Sequence, residues 1–123
     1  MKERIHLNSN ALQLRKKFGE DPNSPIDIFR IINGQKGITL IFYPMSINIS
    51  GMSGRIDESD SYIAINSTHT NGRQRFTLAH ELYHLYFQEN FSRIVCGTEL
   101  EGKKDDEEQN ADTFASFFLA PYE

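Results

Sequence analysis

The sequence predicts an α+β fold, because its helical and strand segments occupy separate parts of the chain. Two helical segments come first, three short β-branched or aromatic segments follow, and two longer helical segments come last. This α-α-β-β-β-α-α order differs from the alternation of strands and helices that builds a parallel sheet. The 123 residues, 38% of them hydrophobic and 24% charged, suit one globular domain over residues 1–123.

The first two helices are predicted from the residues at their ends. One is predicted over residues 9–18, because an Asn-Ser-Asn run can cap its start and Gly19 can end it. The other is predicted over residues 25–33, because Pro25 suits a first helical turn and Gly34 follows the last.

Three strands are predicted between the helices. The segment GITLIFYP, residues 37–44, is short, β-branched and aromatic, and proline closes it. SGMSGRID, residues 50–57, and SYIAIN, residues 61–66, follow, joined by a polar turn of hairpin length. Gly51 and Gly54 would weaken a central strand, so the second strand is predicted at an edge of the sheet.

Charge and composition exclude several classes of protein. A net charge of −4 gives no general attraction to nucleic acid or anionic membrane, so direct nucleic-acid binding is not expected. The sequence has neither an apolar run of about 18 residues nor the apolar core of a secretory signal, so no membrane association is expected. The only cysteine, Cys96, can form no intrachain disulfide. A cytoplasmic location is therefore predicted.

The segment RFTLAHELYHLYF carries the clearest chemistry, in a long predicted helix that begins near Thr70. His80 and His84 are four residues apart, so they share one face of the helix. Glu81 lies about 100° further round, beside a cation held by the histidines. This H-E-x-x-H spacing is typical of metalloproteases, in which both histidines bind zinc and the glutamate is the general base.

A third protein ligand is expected from the last helix, predicted over residues 105–121. Its apolar residues recur at spacings of three and four and place Glu108 and Asp112 near one face. Glu108 is therefore the predicted ligand, and Glu107, about 100° away in the same turn, is the alternative. Asp112 is predicted to accept the outer N–H of a ligand histidine and so fix its ring.

These residues predict hydrolysis of a peptide bond, with Glu81 taking a proton from water and passing it to the leaving amine. A second group usually stabilises the carbonyl oxygen. The sequence does not choose among four candidates for it, which are Tyr83, His69, Arg55 and Tyr122. Zinc is the predicted metal, although other divalent ions also accept nitrogen and oxygen ligands.

Two segments together, RQRFTLAHELYHLYF and EEQNADTFASFFLAP, resemble the ImmA/IrrE family of bacterial and phage metallopeptidases. The resemblance extends from about Gly51 to Pro121, and before Pro44 it rests on element order alone. It implies a small zincin-like domain, in which a three-stranded, mostly antiparallel sheet packs against the active-site helix. N-terminal helices precede the sheet, and the C-terminal helix carries a ligand.

The resemblance also implies roles for individual residues and a partner. His80, His84 and Glu108 would be zinc ligands in the gluzincin arrangement, with Glu81 as base and Asp112 at the family's acidic or amide position. Members act on helix-turn-helix transcriptional repressors of phages or mobile elements, which implies an anti-repressor role. Many members continue past the FLAP segment, so this chain is a minimal member, a shortened one, or one that a partner completes.

Two further functions are considered. A non-cleaving regulatory module, of the anti-repressor or toxin–antitoxin type, could retain the same zinc site. A purely structural zinc is disfavoured, because closed structural sites prefer four Cys or His ligands. For the peptidase, we predict that a substrate strand adds to the chain at Gly54, Arg55 and Ile56 and so presents the scissile bond.

Overall fold

Four helices and four strands are present in the computed structural model, which describes residues 2–22, 24–88, 93–97 (backbone only) and 106–119. In chain order they are α1 (Arg4–Lys17), α2 (Ile28–Asn33), β1 (Ile38–Tyr43), β2 (Ile49–Arg55), β3 (Ser61–Asn66), α3 (Asn71–Phe87), β4 (Arg93–Gly97) and α4 (Asp106–Leu119). The predicted α+β class is confirmed, and β4 is additional to the predicted elements. None of the described helices has the length and apolar character needed to cross a membrane.

The strands form one sheet in the order β1-β3-β2-β4. β2 pairs antiparallel with both β3 and β4, whereas β1 pairs parallel with β3. The sheet is therefore mostly antiparallel, as predicted, but it has four strands. The prediction of a free edge at residues 54–56 is wrong. Gly54 pairs with both Tyr62 and Arg93, and Ile56 already belongs to the turn, where its N–H donates to Asp60 O at 2.8 Å.

Close packing explains why glycines occur in this interior strand. A Cβ atom at Gly51 would lie 2.6 Å from Ala64 O and 3.0 Å from Thr77 Cγ2. A Cβ atom at Gly54 would lie 2.8 Å from the ring of Tyr62. At Gly51 the neighbour is a backbone oxygen, so glycine is needed there for the approach of β3 and α3 rather than for an edge position. At Gly54 a side chain would require the Tyr62 ring to move.

The helix α3 lies at the centre of the fold, between the sheet and α4. It packs on β2 and β3, while α2 contacts α3 and β1, and α1 packs on α4. Every residue of α3 from Thr77 to Leu85 is buried. The core is apolar and rich in branched and aromatic side chains, including Ile63, Ile65, Leu78, Leu82, Phe114 and Phe118.

Both N-terminal helices differ from the prediction at their starts. α1 begins at Arg4, and its Asn-Ser-Asn run lies inside the helix rather than capping it. The reason is burial, because Leu7 lies one turn before Ala11 on the face that is packed in the core, and packing outweighs a local capping preference. α2 begins at Ile28, because the Asp27 side chain accepts a hydrogen bond from Arg30 N at 3.3 Å and so provides the cap.

A buried arginine links α1 to the end of α4. Arg15 is 1% exposed, its Nε donates to Phe118 O at 2.9 Å, and its Nη1 donates to Ser24 O at 2.8 Å and to Asp21 O. Phe118 belongs to the last turn of α4, where helix carbonyls have no partner within the helix. Arg15 therefore supplies hydrogen bonds that neither the helix end nor the loop could make alone.

Candidate metal centre

Three of the predicted site residues converge where α3 faces the first turn of α4. His80 Nε2 lies 3.2 Å from Glu108 Oε1, and His84 Nε2 lies 3.0 Å from Glu108 Oε2. The two Nε2 atoms are 3.3 Å apart, and ligand atoms of all three residues lie within 4.8 Å of one another. The arrangement follows from the sequence, because histidines four apart share one face of α3 and that face packs against α4.

The outer nitrogen of each imidazole faces an acceptor. His80 Nδ1 lies 2.8 Å from Asp112 Oδ1, so Asp112 takes the position predicted for it. His84 Nδ1 is hydrogen-bonded to Gln88 Oε1. These contacts fix the rings with Nε2 facing inward, which is the common arrangement around metal-binding histidines. Gln88 was not predicted; it lies four residues after His84, directly after the last residue of α3.

Hydrogen bonding sets the charge of the metal-free site. Burial lowers the pKa of His80, but hydrogen bonds to Asp112 and Glu108 outweigh that effect and raise it to about 9. Burial raises the pKa of Glu108, but hydrogen bonds from His80 and His84 outweigh it and hold that pKa well below its ordinary value. In the absence of a metal, His80 is therefore a protonated imidazole between two carboxylates.

Metal loading at about pH 7.5 is expected to release about one proton per site, because a cation must displace the proton on His80. The apparent affinity should rise with pH until His80 deprotonates, at a pH of about 9. Titration calorimetry in buffers of different ionisation enthalpy measures the release. In Asp112→Asn, which lacks one of the two carboxylates, the release should be smaller. Metal binding without proton release in the unaltered protein would contradict this assignment of charge.

The donor set fits a catalytic divalent metal such as zinc. Two imidazole nitrogens and one carboxylate are three protein ligands, and a catalytic zinc keeps its fourth position for water or substrate. The ligand side chains are largely sheltered, with exposures of 6% for His80, 0% for His84 and 20% for Glu108. Glu107, the alternative ligand, is engaged elsewhere, because its Oε1 accepts a hydrogen bond from Tyr83 OH at 2.7 Å.

Glu81, the predicted base, is fully buried on α3 beside the histidines. Ser53 Oγ donates a hydrogen bond to Glu81 Oε1. The other oxygen, Oε2, is buried and has no hydrogen-bond partner among the described residues. Ser53 was not predicted, because the sequence does not show which residues of β2 face α3.

Four residues were candidates for a second group that stabilises the carbonyl oxygen. Three of them make hydrogen bonds to other parts of the fold. The buried Tyr83 donates to Glu107, and burial together with that carboxylate raises the pKa of its hydroxyl. His69 Nε2 lies 3.1 Å from Ile47 O, and Arg55 Nη2 donates to Leu85 O at 2.8 Å. Tyr122 lies outside the described residues.

Comparison with known proteins assigns the family. The Peptidase_M78 family model, described as an IrrE N-terminal-like domain, matches residues 33–123. A search of curated proteins gave no significant match. The matched range contains the convergent histidines, Glu81, Glu108 and Asp112, whereas α1 lies outside it. The chain therefore belongs to the Peptidase_M78 (IrrE N-terminal-like) family, in agreement with the predicted ImmA/IrrE resemblance.

Proposed function

We propose that the protein is a zinc-dependent endopeptidase. The observation that carries the proposal is the convergence of His80, His84 and Glu108 on one point beside a buried carboxylate, in a chain of a peptidase family. Zinc held by these three residues would polarise a peptide carbonyl and make water nucleophilic at neutral pH.

Glu81 supplies the proton transfers. Its Oε2 atom is the oxygen without a hydrogen-bond partner among the described residues, so it can accept the proton of the attacking water. It then delivers that proton to the amine nitrogen as the peptide bond breaks. Asp112 and Gln88 keep the imidazoles in place during both steps, since each holds an outer ring nitrogen.

The substrate is proposed to bind as an extended strand along β4. This strand ends the sheet order, so within the described part of the chain no strand pairs with its outer side. An extended peptide can add to such an edge through main-chain hydrogen bonds. β4 pairs with β2, and Ser53 of β2 donates a hydrogen bond to the general base, Glu81. A strand added beside β4 would therefore run close to the site.

The proposed substrate is a helix-turn-helix transcriptional repressor of a phage or mobile element, and the proposed location of the reaction is the cytoplasm. The proposal follows from the ImmA/IrrE resemblance of the sequence, which implies such a substrate. The net charge of −4 also supports a protein partner rather than DNA. Cleavage of the repressor would switch on the genes that it silences.

The test is incubation of the purified protein with purified helix-turn-helix repressors, taken from genes encoded near its own. With zinc present, we expect two repressor fragments to accumulate. A chelator should stop cleavage, because zinc would be the group that polarises the peptide carbonyl. Excess zinc should then restore cleavage. If the repressor stays intact but leaves its operator DNA, the protein acts as a binding module and the proposal is wrong.

A further inference from the structure

We propose that Ser53 is a positioning residue that determines which oxygen of Glu81 takes the proton. The catalytic consequence rests on the proposed peptidase function, whereas the structural part rests on contacts alone. Ser53 and Glu81 are both 0% exposed, and the Ser53 hydroxyl donates to Oε1 only. Oε2 is buried without a hydrogen-bond partner among the described residues. The two oxygens of one carboxylate therefore have different surroundings.

The fold holds Ser53 firmly in this position. Ser53 pairs with Ile63 of β3 and with Ile94 of β4, so its backbone is fixed on both sides. Gly51 lies two residues earlier on the same face of the strand, and its missing side chain admits Thr77 of α3. Thr77 is one helical turn before Glu81, so this close packing brings Ser53 within hydrogen-bonding distance of the carboxylate.

The hydrogen bond gives the carboxylate a fixed orientation. The terminal torsion of a glutamate is soft and two-fold, so an unrestrained carboxylate exchanges its two oxygens freely. A hydroxyl that donates to an ionised oxygen makes a strong, charge-assisted bond, which opposes that rotation. When the water proton moves to Oε2, Oε1 becomes the carbonyl oxygen and still accepts from Ser53. Ser53 keeps its own proton throughout, so its role is orientation alone.

A second buried serine on the same strand provides the matched control. Ser50 is 4% exposed, and its hydroxyl accepts from Arg73 Nη2 at 3.3 Å rather than touching Glu81. Replacement of either serine by alanine removes one hydroxyl from β2. Only Ser53→Ala removes the hydrogen bond to the general base.

The kinetic test compares the cleavage rates of these zinc-loaded variants. The substrate is a peptide selected from a fluorescence-quenched library. Ser53→Ala should lower kcat about 10-fold to 100-fold, the effect of one buried hydrogen bond to a charged group. KM and zinc content should not change. Ser53→Thr, which keeps the hydroxyl, should recover most of the rate, and Ser50→Ala should match the unaltered protein.

A double-mutant cycle separates orientation from general stability. Because Ser53 acts through Glu81, adding Ser53→Ala to Glu81→Gln should lower the residual rate no further. An equal loss in both backgrounds would overturn the proposal, and so would a Ser53→Ala variant as active as Ser50→Ala. Ser53→Cys, a weaker donor of similar size, replaces the alanine variant if that one does not fold.

An infrared measurement tests the contact without any turnover. With isotope-labelled glutamate, the difference spectrum against Glu81→Gln isolates the carboxylate bands of Glu81. Ser53→Ala should shift these bands, and Ser50→Ala should not. Unshifted bands in Ser53→Ala would overturn the proposal. Absence of any zinc-dependent cleavage by the unaltered protein would instead refute the proposed function, and the infrared result would still decide the role of Ser53.

Discussion

Replacing Glu81 with glutamine is expected to lower kcat about 100-fold to 10,000-fold, while the protein keeps its metal. Glutamine has nearly the same shape but cannot accept the proton of the attacking water. The ligands His80, His84 and Glu108 are untouched, so zinc content should stay near one per chain. The measurement is steady-state cleavage of the repressor, together with metal analysis of the same preparation.

Glu58→Gln is the matched control, because this exposed glutamate lies in the turn between β2 and β3, away from the site. It should leave kcat unchanged. A Glu81→Gln variant that cleaves at the normal rate would show that the general base is misassigned. If Glu81→Gln has lost cleavage but still relieves repression in cells, binding rather than proteolysis is the regulatory activity.

Replacing Arg15 with methionine is expected to lower the free energy of unfolding by about 3–5 kcal/mol. Methionine fills much of the same volume but donates no hydrogen bond. The carbonyls of Asp21, Ser24 and Phe118 would each lose the guanidinium that they now share. Arg15 and Phe118 are both 1% exposed, so little water can reach the Phe118 carbonyl to replace the lost donor.

Urea unfolding of the metal-free protein measures this loss, provided that the m-value stays constant. Arg30→Met is the control, because the Arg30 side chain is 72% exposed and pairs with Asp27 at 3.7 Å. Its expected effect is below about 1 kcal/mol, as for other exposed ion pairs. Equal losses in the two variants would contradict the role assigned to Arg15.

The cluster of candidate metal ligands could be predicted from sequence because its residues lie on two helices with strong periodic patterns. His80 and His84 share a face by their spacing alone, and the apolar stripe of α4 fixes the direction of Glu108. Asp112 follows from the same register. The structure brings all four side chains together, with nitrogen–oxygen distances of 2.8–3.2 Å between the histidines and the carboxylates.

Residues that depend on strand register could not be predicted. β4 is five residues long, and its pairing with β2 is a long-range contact that no local pattern specifies. Without β4, the glycines of β2 were explained by an edge position, whereas they serve close packing. The contact of Ser53 with Glu81 was missed for the same reason. Which side chains of β2 face α3 depends on the pairing of β2 with β3.

Helix boundaries failed where burial outweighed local capping. The start of α1 was predicted at its Asn-Ser-Asn run, yet the buried Leu7 precedes that run and already belongs to the helix. Leu12 is 43% exposed, whereas Ala11 and Leu14 are buried in the helix that packs on α4. A polar helix with few apolar residues gives a weak periodic signal, so its buried face depends on the partner.

The pairing of α1 with α4 also bears on synthesis at the ribosome. Arg15 meets Phe118 across 103 positions of the chain, and Lys2 N donates to Asn110 across 108. Domains fold as units during translation, so α1 lacks its main docking surface until α4 has emerged. Because α4 also carries Glu108, the third ligand arrives with the same helix. A nascent chain would thus lack the complete set of candidate ligands until this late helix is made.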